Sequence, residues 1–171
     1  MTDSKMPDPV LLPDGTISIN DCINHINNIY GTKYSVEREA AVARLWGFLP
    51  EDLNEDETML DRFKFERETV ELPKLKGTYT HCEIKLARAP DGRWAVDESI
   101  RLAECGVGAC PGIWNRIQHP DRASALNAGL ANAIEYCEKS NDRLAGKMLK
   151  ILLDYKAGLC TMDHPDLFDM L

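Results

Sequence analysis

No window of the chain approaches the roughly 18 consecutive apolar residues that a membrane-spanning helix needs. The opening MTDSKMPDPVLLPDG has neither the basic region nor the apolar run of a signal or transit peptide. A cytoplasmic protein with reduced thiols is therefore expected. There is no GK[ST] phosphate loop, no internal repeat and no low-complexity segment. A second cysteine pair at metal-binding spacing is also missing, which leaves the single C-x4-C at Cys105 and Cys110 without an obvious complement.

Positive charge is in short supply. Twenty Lys and Arg stand against 28 Asp and Glu, a formal charge of −8. Residues 1–100 carry 12 basic and 19 acidic residues, and residues 101–171 carry 8 and 9. Without clustered Lys and Arg to displace counterions, non-specific attachment to a phosphate backbone is disfavoured. Arg143, Lys147 and Lys150 fall at helical spacing and read as a solvated face. The surplus acid either keeps the chain soluble or meets a basic partner. With 44% hydrophobic residues over 171 positions, the chain can bury a core without disulfide or metal staples.

Periodicity divides the chain into three stretches. Residues 1–17, rich in Pro, Asp and Gly, read as an extended lead-in. Residues 18–75 read as an acidic helical unit of three helices. In the first, Ile19, Cys22, Ile23, Ile26, Ile29 and Tyr30 share a face, with Gly31 as the stop and Asn20, Asn24, Asn27 and Asn28 on the polar side. Ser35 offers an N-cap to a second helix running to about Phe48, and Asn54 with Glu57 resembles a capping box opening a third, with Met59, Leu60 and Phe63 inward. Residues 76–171 hold a hairpin and two helices. Thr80, Cys82, Ile84 and Leu86 alternate with His81, Glu83, Lys85 and Ala87 on a wet face, then comes the turn Pro90–Arg93, and alternation resumes through Trp94, Val96, Ile100 and Leu102. Asp121 opens a helix on Ala123, Leu126, Leu130, Ile134 and Cys137. A second helix turns Leu144, Met148, Ile151, Leu152 and Tyr155 inward, and the tail after Gly158 is expected to dock back. The predicted class is α+β: an N-terminal helical unit, an antiparallel β-hairpin that can extend into a small sheet, and two C-terminal helices, the helical unit and the hairpin region sharing one core.

The stretch AECGVGACPG, residues 103–112, carries most of the chemical interest. It nearly spells a dinucleotide fingerprint, but Pro111 stands where a glycine is needed and a hairpin rather than a βαβ unit precedes it. Thiolates at Cys105 and Cys110 with His119 would make part of a zinc site, with His81 and Cys82 as further donors. Cys110 beside Pro111, with His119 or His81 as base, is the arrangement a thiol-dependent enzyme would require. The simpler expectation is a glycine-permitted turn with Cys105 tucked inward and no cofactor. Of the six cysteines (Cys22, Cys82, Cys105, Cys110, Cys137 and Cys160) most are expected to be small buried hydrophobes, and Trp94 and Trp114 are read as core.

From about Thr80 to Glu138 the order strand, PDG turn, strand, glycine-proline loop and DRASALNAGLANAI resembles segments of small accessory proteins of phages and plasmids. The resemblance carries no catalytic signature and implies a mobile-element context, accessory or counter-defence. The expected function is non-enzymatic: a protein-binding inhibitor or regulator whose Asp52, Glu55, Asp56, Glu57 and Asp61 form an acidic patch for a basic protein surface. The alternatives are a zinc-supported binding module on Cys105 and Cys110, and the thiol enzyme.

Overall fold

In the computed structural model, residues 5–49, 63–76 and 78–162 are described. The class is α+β. Strands β1 (Val10–Leu11) and β2 (Ile17–Ser18) precede helices α1 (Asn20–Tyr30) and α2 (Val36–Arg44). Strands β3 (Glu66–Glu71), β4 (His81–Arg88), β5 (Trp94–Arg101), β6 (Gly106–Gly108) and β7 (Ile117–Gln118) follow, and α3 (Arg122–Lys139) and α4 (Ala145–Met162) complete the order. One sheet has the order β1-β2-β7 and is antiparallel throughout; the other has the order β3-β4-β5-β6. The chain divides into two compact units, Met1–Glu68 with Leu86–Val96 and Pro111–Ala125, and Thr69–Lys85 with Asp97–Cys110 and Leu126–Leu171.

The first unit uses the tripeptide Pro-Asp-Gly twice. At Pro13–Gly15 the Leu12 amide donates to the Thr16 carbonyl at 2.8 Å, and the Asp14 carboxylate accepts from the Thr16 amide at 3.0 Å. At Pro90–Gly92 the Ala89 amide donates to the Arg93 carbonyl at 2.8 Å, and Asp91 accepts from the Arg93 amide at 2.9 Å. In both turns glycine takes the left-handed conformation, with φ of 82° at Gly15 and 86° at Gly92. The second turn joins β4 to β5 as the sequence predicts. The first makes residues 10–18 a small hairpin where an unpaired lead-in was expected.

Helix α2 starts and stops on side-chain and backbone chemistry. The Ser35 hydroxyl accepts from the Arg38 amide at 3.2 Å, filling the N-cap position assigned from sequence. At the other end the Gly47 amide donates to Arg44 at 3.1 Å and the Phe48 amide to Ala43 at 3.3 Å, the paired bonds of a Schellman stop with Gly47 left-handed at φ 77°. The Leu45 carbonyl, left without a helical donor, accepts from Arg93 at 2.8 Å and from the Gln118 side-chain amide at 2.7 Å. Below this, Trp46 is fully buried and its indole N–H donates to the Ile113 carbonyl at 2.9 Å. Edge-on rings gather around it: Trp46 with Phe65 at 5.9 Å, and Phe48 with Phe63 and Phe65 at 5.4 and 5.0 Å. Ile19, Cys22, Ile23 and Ile26 of the α1 segment complete this core, while Ile29 and Tyr30, placed on the same face from sequence, are exposed.

The alternation read from sequence holds from His81 to Leu86, where Cys82, Ile84 and Leu86 are buried and His81, Glu83 and Lys85 half-buried. Ala87, placed on the wet face, is instead fully buried, and on β5 Ala95 and Val96 are buried in succession; Ile100 and Leu102 are buried as expected. Leu126, Leu130, Ala133 and Cys137 of α3 and Ala145, Met148 and Leu152 of α4 are buried, as is Leu144 just ahead of α4. The Glu98 carboxylate accepts from Asn132 of α3. Asp142 starts α4: its carboxylate accepts from the Leu144 amide at 2.8 Å and the Glu104 amide at 2.7 Å.

The third predicted helix spans residues that lie largely outside those described, as does the tail from Asp163 onward. Phe63 is buried as expected, but Glu66–Glu71 is an edge strand of the four-stranded sheet, which the charge-dense sequence ERETVE did not suggest.

Gly47 and Gly92 share a left-handed backbone but differ in surroundings. A Cβ at Gly47 would lie 2.8 Å from the Asp91 Cβ, whereas none within 4 Å would meet one at Gly92. The Gly92→Ala variant should lose about 1–2 kcal/mol, the cost of the backbone conformation alone. Gly47→Ala should lose more, because it also displaces the Asp91 turn. Urea denaturation of the two variants reads the difference.

Candidate functional site

The cysteine loop bends at Ala103 and Glu104, as a turn requires, and then runs through a short strand, β6, at its two glycines. Gly106–Gly108 pairs antiparallel with β5, with Arg101 opposite Gly106, Ile100 opposite Val107 and Ser99 opposite Gly108. The Leu102 amide donates to Cys105 at 2.8 Å, and Ala109 donates to Glu98 at 3.3 Å. The glycines allow this approach: a Cβ at Gly106 would sit 2.7 Å from the Ile100 carbonyl oxygen, and one at Gly108 would sit 3.1 Å from the Ser99 hydroxyl. Along this edge lies an open cleft of about 380 Å³, bounded by His81, Ser99, Arg101 and Cys105 among others.

Cys105 was expected inward and is exposed. Leu102, whose amide bonds to the Cys105 carbonyl, is buried. The Cys105 thiol lies 3.6 Å from the Ser140 hydroxyl and 3.7 Å from Asp142 Oδ2. It also meets the Tyr136 hydroxyl, whose pKa is pushed up to about 12, first by that hydrogen bond and then by desolvation. Hydrogen bonds from the Leu144 and Glu104 amides hold Asp142 below the ordinary carboxylate range. Cys110 is exposed as well, with Lys85 Nζ 3.8 Å from its sulfur. By contrast Cys22, Cys82 and Cys137 are buried free thiols, and burial raises all three, Cys82 to about 12 and Cys137 to about 11.

His119, the third residue of the proposed zinc set, belongs to the first unit, and Cys105 and Cys110 belong to the second. It is 5% exposed, bridges to Trp94 through two 2.9 Å backbone bonds, and has its Nδ1 3.4 Å from the Ser124 hydroxyl. His81 likewise faces a hydroxyl, Ser99 at 3.4 Å. Among the described residues no group of three or more His, Cys, Asp or Glu is gathered as a metal ion would need. Asp52, Glu55, Asp56, Glu57 and Asp61 lie outside the described residues. Arg143, Lys147 and Lys150 are exposed, as their reading as a solvated face required.

A further constellation escaped the sequence. On α1, Asn20, Asn24 and Asn27 form one stripe, and their side-chain oxygens hold two arginines. Arg116 donates to Asn20 at 3.0 Å and Asn24 at 3.4 Å, and Arg38 Nε donates to Asn27 at 2.8 Å. The Arg38 guanidinium also lies over the Trp114 ring, 4.3 Å from its centroid. Trp114, read as core, is 37% exposed, while Trp46 is fully buried. The asparagine stripe was visible as an amide-rich helix face. Nothing local tied it to Arg116, 96 residues beyond Asn20.

No helix of the described residues is long and apolar enough to cross a membrane. No family model, curated protein or solved structure matches the chain.

Alkylation of the native protein with iodoacetamide, followed by peptide mass mapping, should label Cys105 and Cys110 well before Cys22, Cys82 and Cys137. Equal rates across these five would contradict the assigned exposures. A pH effect is expected at His119. Burial holds its imidazole below the ordinary 6.5, outweighing the upward pull of Asp14 and Asp121. The folded chain thus favours the neutral ring, so this contribution to stability is complete above that value and declines as pH falls toward the lower folded pKa. His119→Gln should flatten that part of the curve in urea denaturations between about pH 7.5 and 5.

Proposed function

We propose that the chain acts by binding a protein partner with a basic surface, as a non-enzymatic inhibitor or regulator working in a cytoplasm. The observation that carries this reading is how the negative charge is distributed. Residues 51–61 contain six carboxylates and no Lys or Arg, so the rest of the chain carries a formal charge of only −2. Several carboxylates elsewhere are committed within the chain. Glu66 pairs with Arg88, Glu68 with Arg122, Glu71 with Lys74, Asp91 with Arg93 and Glu135 with Lys139. Asp121 and Asp142 accept from backbone amides at the starts of α3 and α4. The concentrated acid at 51–61, including Asp52, Glu55, Asp56, Glu57 and Asp61, is the charge a basic partner would meet, and its main effect would be on encounter rate and register. The resemblance of residues 80–138 to phage and plasmid accessory proteins supplies the context, a regulator carried by a mobile element.

The test is titration against a panel of purified basic nucleic-acid-binding proteins, with poly-lysine as the control for charge alone. At least one folded protein should bind more tightly than poly-lysine, weakening about tenfold from low to physiological salt, and again on replacing the five named carboxylates with Asn or Gln. Affinity indifferent both to salt and to this neutralisation would remove the acidic surface from the reading.

A further inference from the structure

We propose that Arg38, Arg116 and Trp114, set in place by the carboxamides of Asn20, Asn24 and Asn27, form a second docking surface, one that receives an extended acidic peptide segment of a protein partner. The decisive feature is what holds the two guanidinium groups. Arg88, Arg93 and Arg122 of the same unit are each paired with a carboxylate. Among the described residues Arg38 and Arg116 make no such ion pair and are held by neutral amide oxygens instead. An amide fixes a guanidinium in direction without cancelling its charge, and it engages only some of the five N–H donors. The neighbouring acids in sequence, Asp21 on α1 and Glu37 and Glu39 on α2, sit in the first turns of their helices, where the helix dipole favours them.

The surface therefore offers oriented positive donors in excess of acceptors. The asparagines reinforce this, because with each Oδ1 accepting from arginine the Nδ2 group is left as a donor. The complementary ligand is rich in acceptors and negative. Asn20 to Asn27 spans about 10 Å along α1, so the two arginines are spaced to meet acidic side chains a few residues apart on one extended segment. Each carboxylate fits the planar fork of a guanidinium. Trp114, partly exposed beside Arg38, adds apolar area in a setting where Trp and Arg dominate protein–protein binding energy. A nucleic acid strand is the weaker fit, since two guanidinium groups release few counterions and the chain as a whole is at −8.

The experiment uses the full chain and a fluorescein-labelled peptide of about ten residues mixing Glu, Asp and Leu, long enough to span the stripe. Fluorescence anisotropy should show saturable binding. Arg38→Gln and Arg116→Gln should each weaken it about tenfold, as loss of one charge-assisted contact does. Arg38→Lys, which keeps the charge but not the planar stacking on Trp114, should recover part of the loss, and Arg143→Gln should change nothing. An oligo-dT of similar length should bind less tightly than the peptide. Three results overturn the proposal: no peptide binding, unchanged binding in both Arg→Gln variants with native circular dichroism, or tighter binding of oligo-dT. Acrylamide quenching of the wild-type chain gives a readout independent of any variant. The bound peptide should protect the most exposed indole, and unchanged quenching at saturation also overturns the proposal.

Discussion

The Leu45 carbonyl at the end of α2 is the group on which the first unit turns. A helix C-terminus leaves carbonyls without amide partners, and a buried one left unsatisfied costs about 1–3 kcal/mol. Here two donors reach it, Arg93 and Gln118. Arg93 is itself aimed by Asp91, whose Oδ2 accepts from the arginine Nε at 2.7 Å, and by the Gln118 side-chain oxygen. Asp91 in turn stands over Gly47, at a distance that admits a hydrogen but not a methyl group. The β4–β5 turn, the stop of α2 and the strand β7 are thus settled by one set of bonds. Trp46, next to that carbonyl, is placed by the same stop to anchor the aromatic core.

How much of this was legible depended on whether the determining partner was near in sequence. The β4–β5 hairpin, the Ser35 cap and the Asp121 start of α3 rest on bonds spanning two to four residues, and each was read correctly from its own residues. The hairpin of residues 10–18 had the same Pro-Asp-Gly signal, yet its strands are two residues each, too short for alternation to register. Strand β6 was hidden for another reason. Two glycines and a valine give no periodic signal, and what makes them a strand is room against the Ile100 carbonyl, a property of β5. Cys105, just ahead of β6, is exposed while Leu102, bonded to it across the turn, is buried, a difference that local spacing did not reveal. Ile29 and Tyr30 fell on the apolar face by spacing, but the core against α1 ends at Ile26.

Charge shows the same division between local and distant determinants. The acid-rich stretch at 51–61 was evident in the sequence because charge density is a local property. The amide-held arginines were not, because a cation's environment is set by whichever side chains the fold brings to it. Arg88 and Arg122 look like Arg38 and Arg116 as letters, but the first two meet glutamates while the second two meet asparagines. The amide-rich polar face of α1, unfavourable for helix propensity, gains a purpose in that contact: it orients cations while leaving their charge intact.

The two Pro-Asp-Gly turns, alike in backbone, are unlike as places to alter the molecule. The one at Pro90–Gly92 is clamped between Gly47 and the Leu45 carbonyl through Asp91 and Arg93, so lengthening it would pull a cap off a helix. At Pro13–Gly15 the glycine has open space around it, and the hydrogen bonds of the Asp14 side chain among the described residues stay within its own turn. That loop tip is the natural point for splicing in a reporter sequence or a fluorophore attachment site. A label there would report on the three-stranded sheet while leaving the Leu45 bonds untouched.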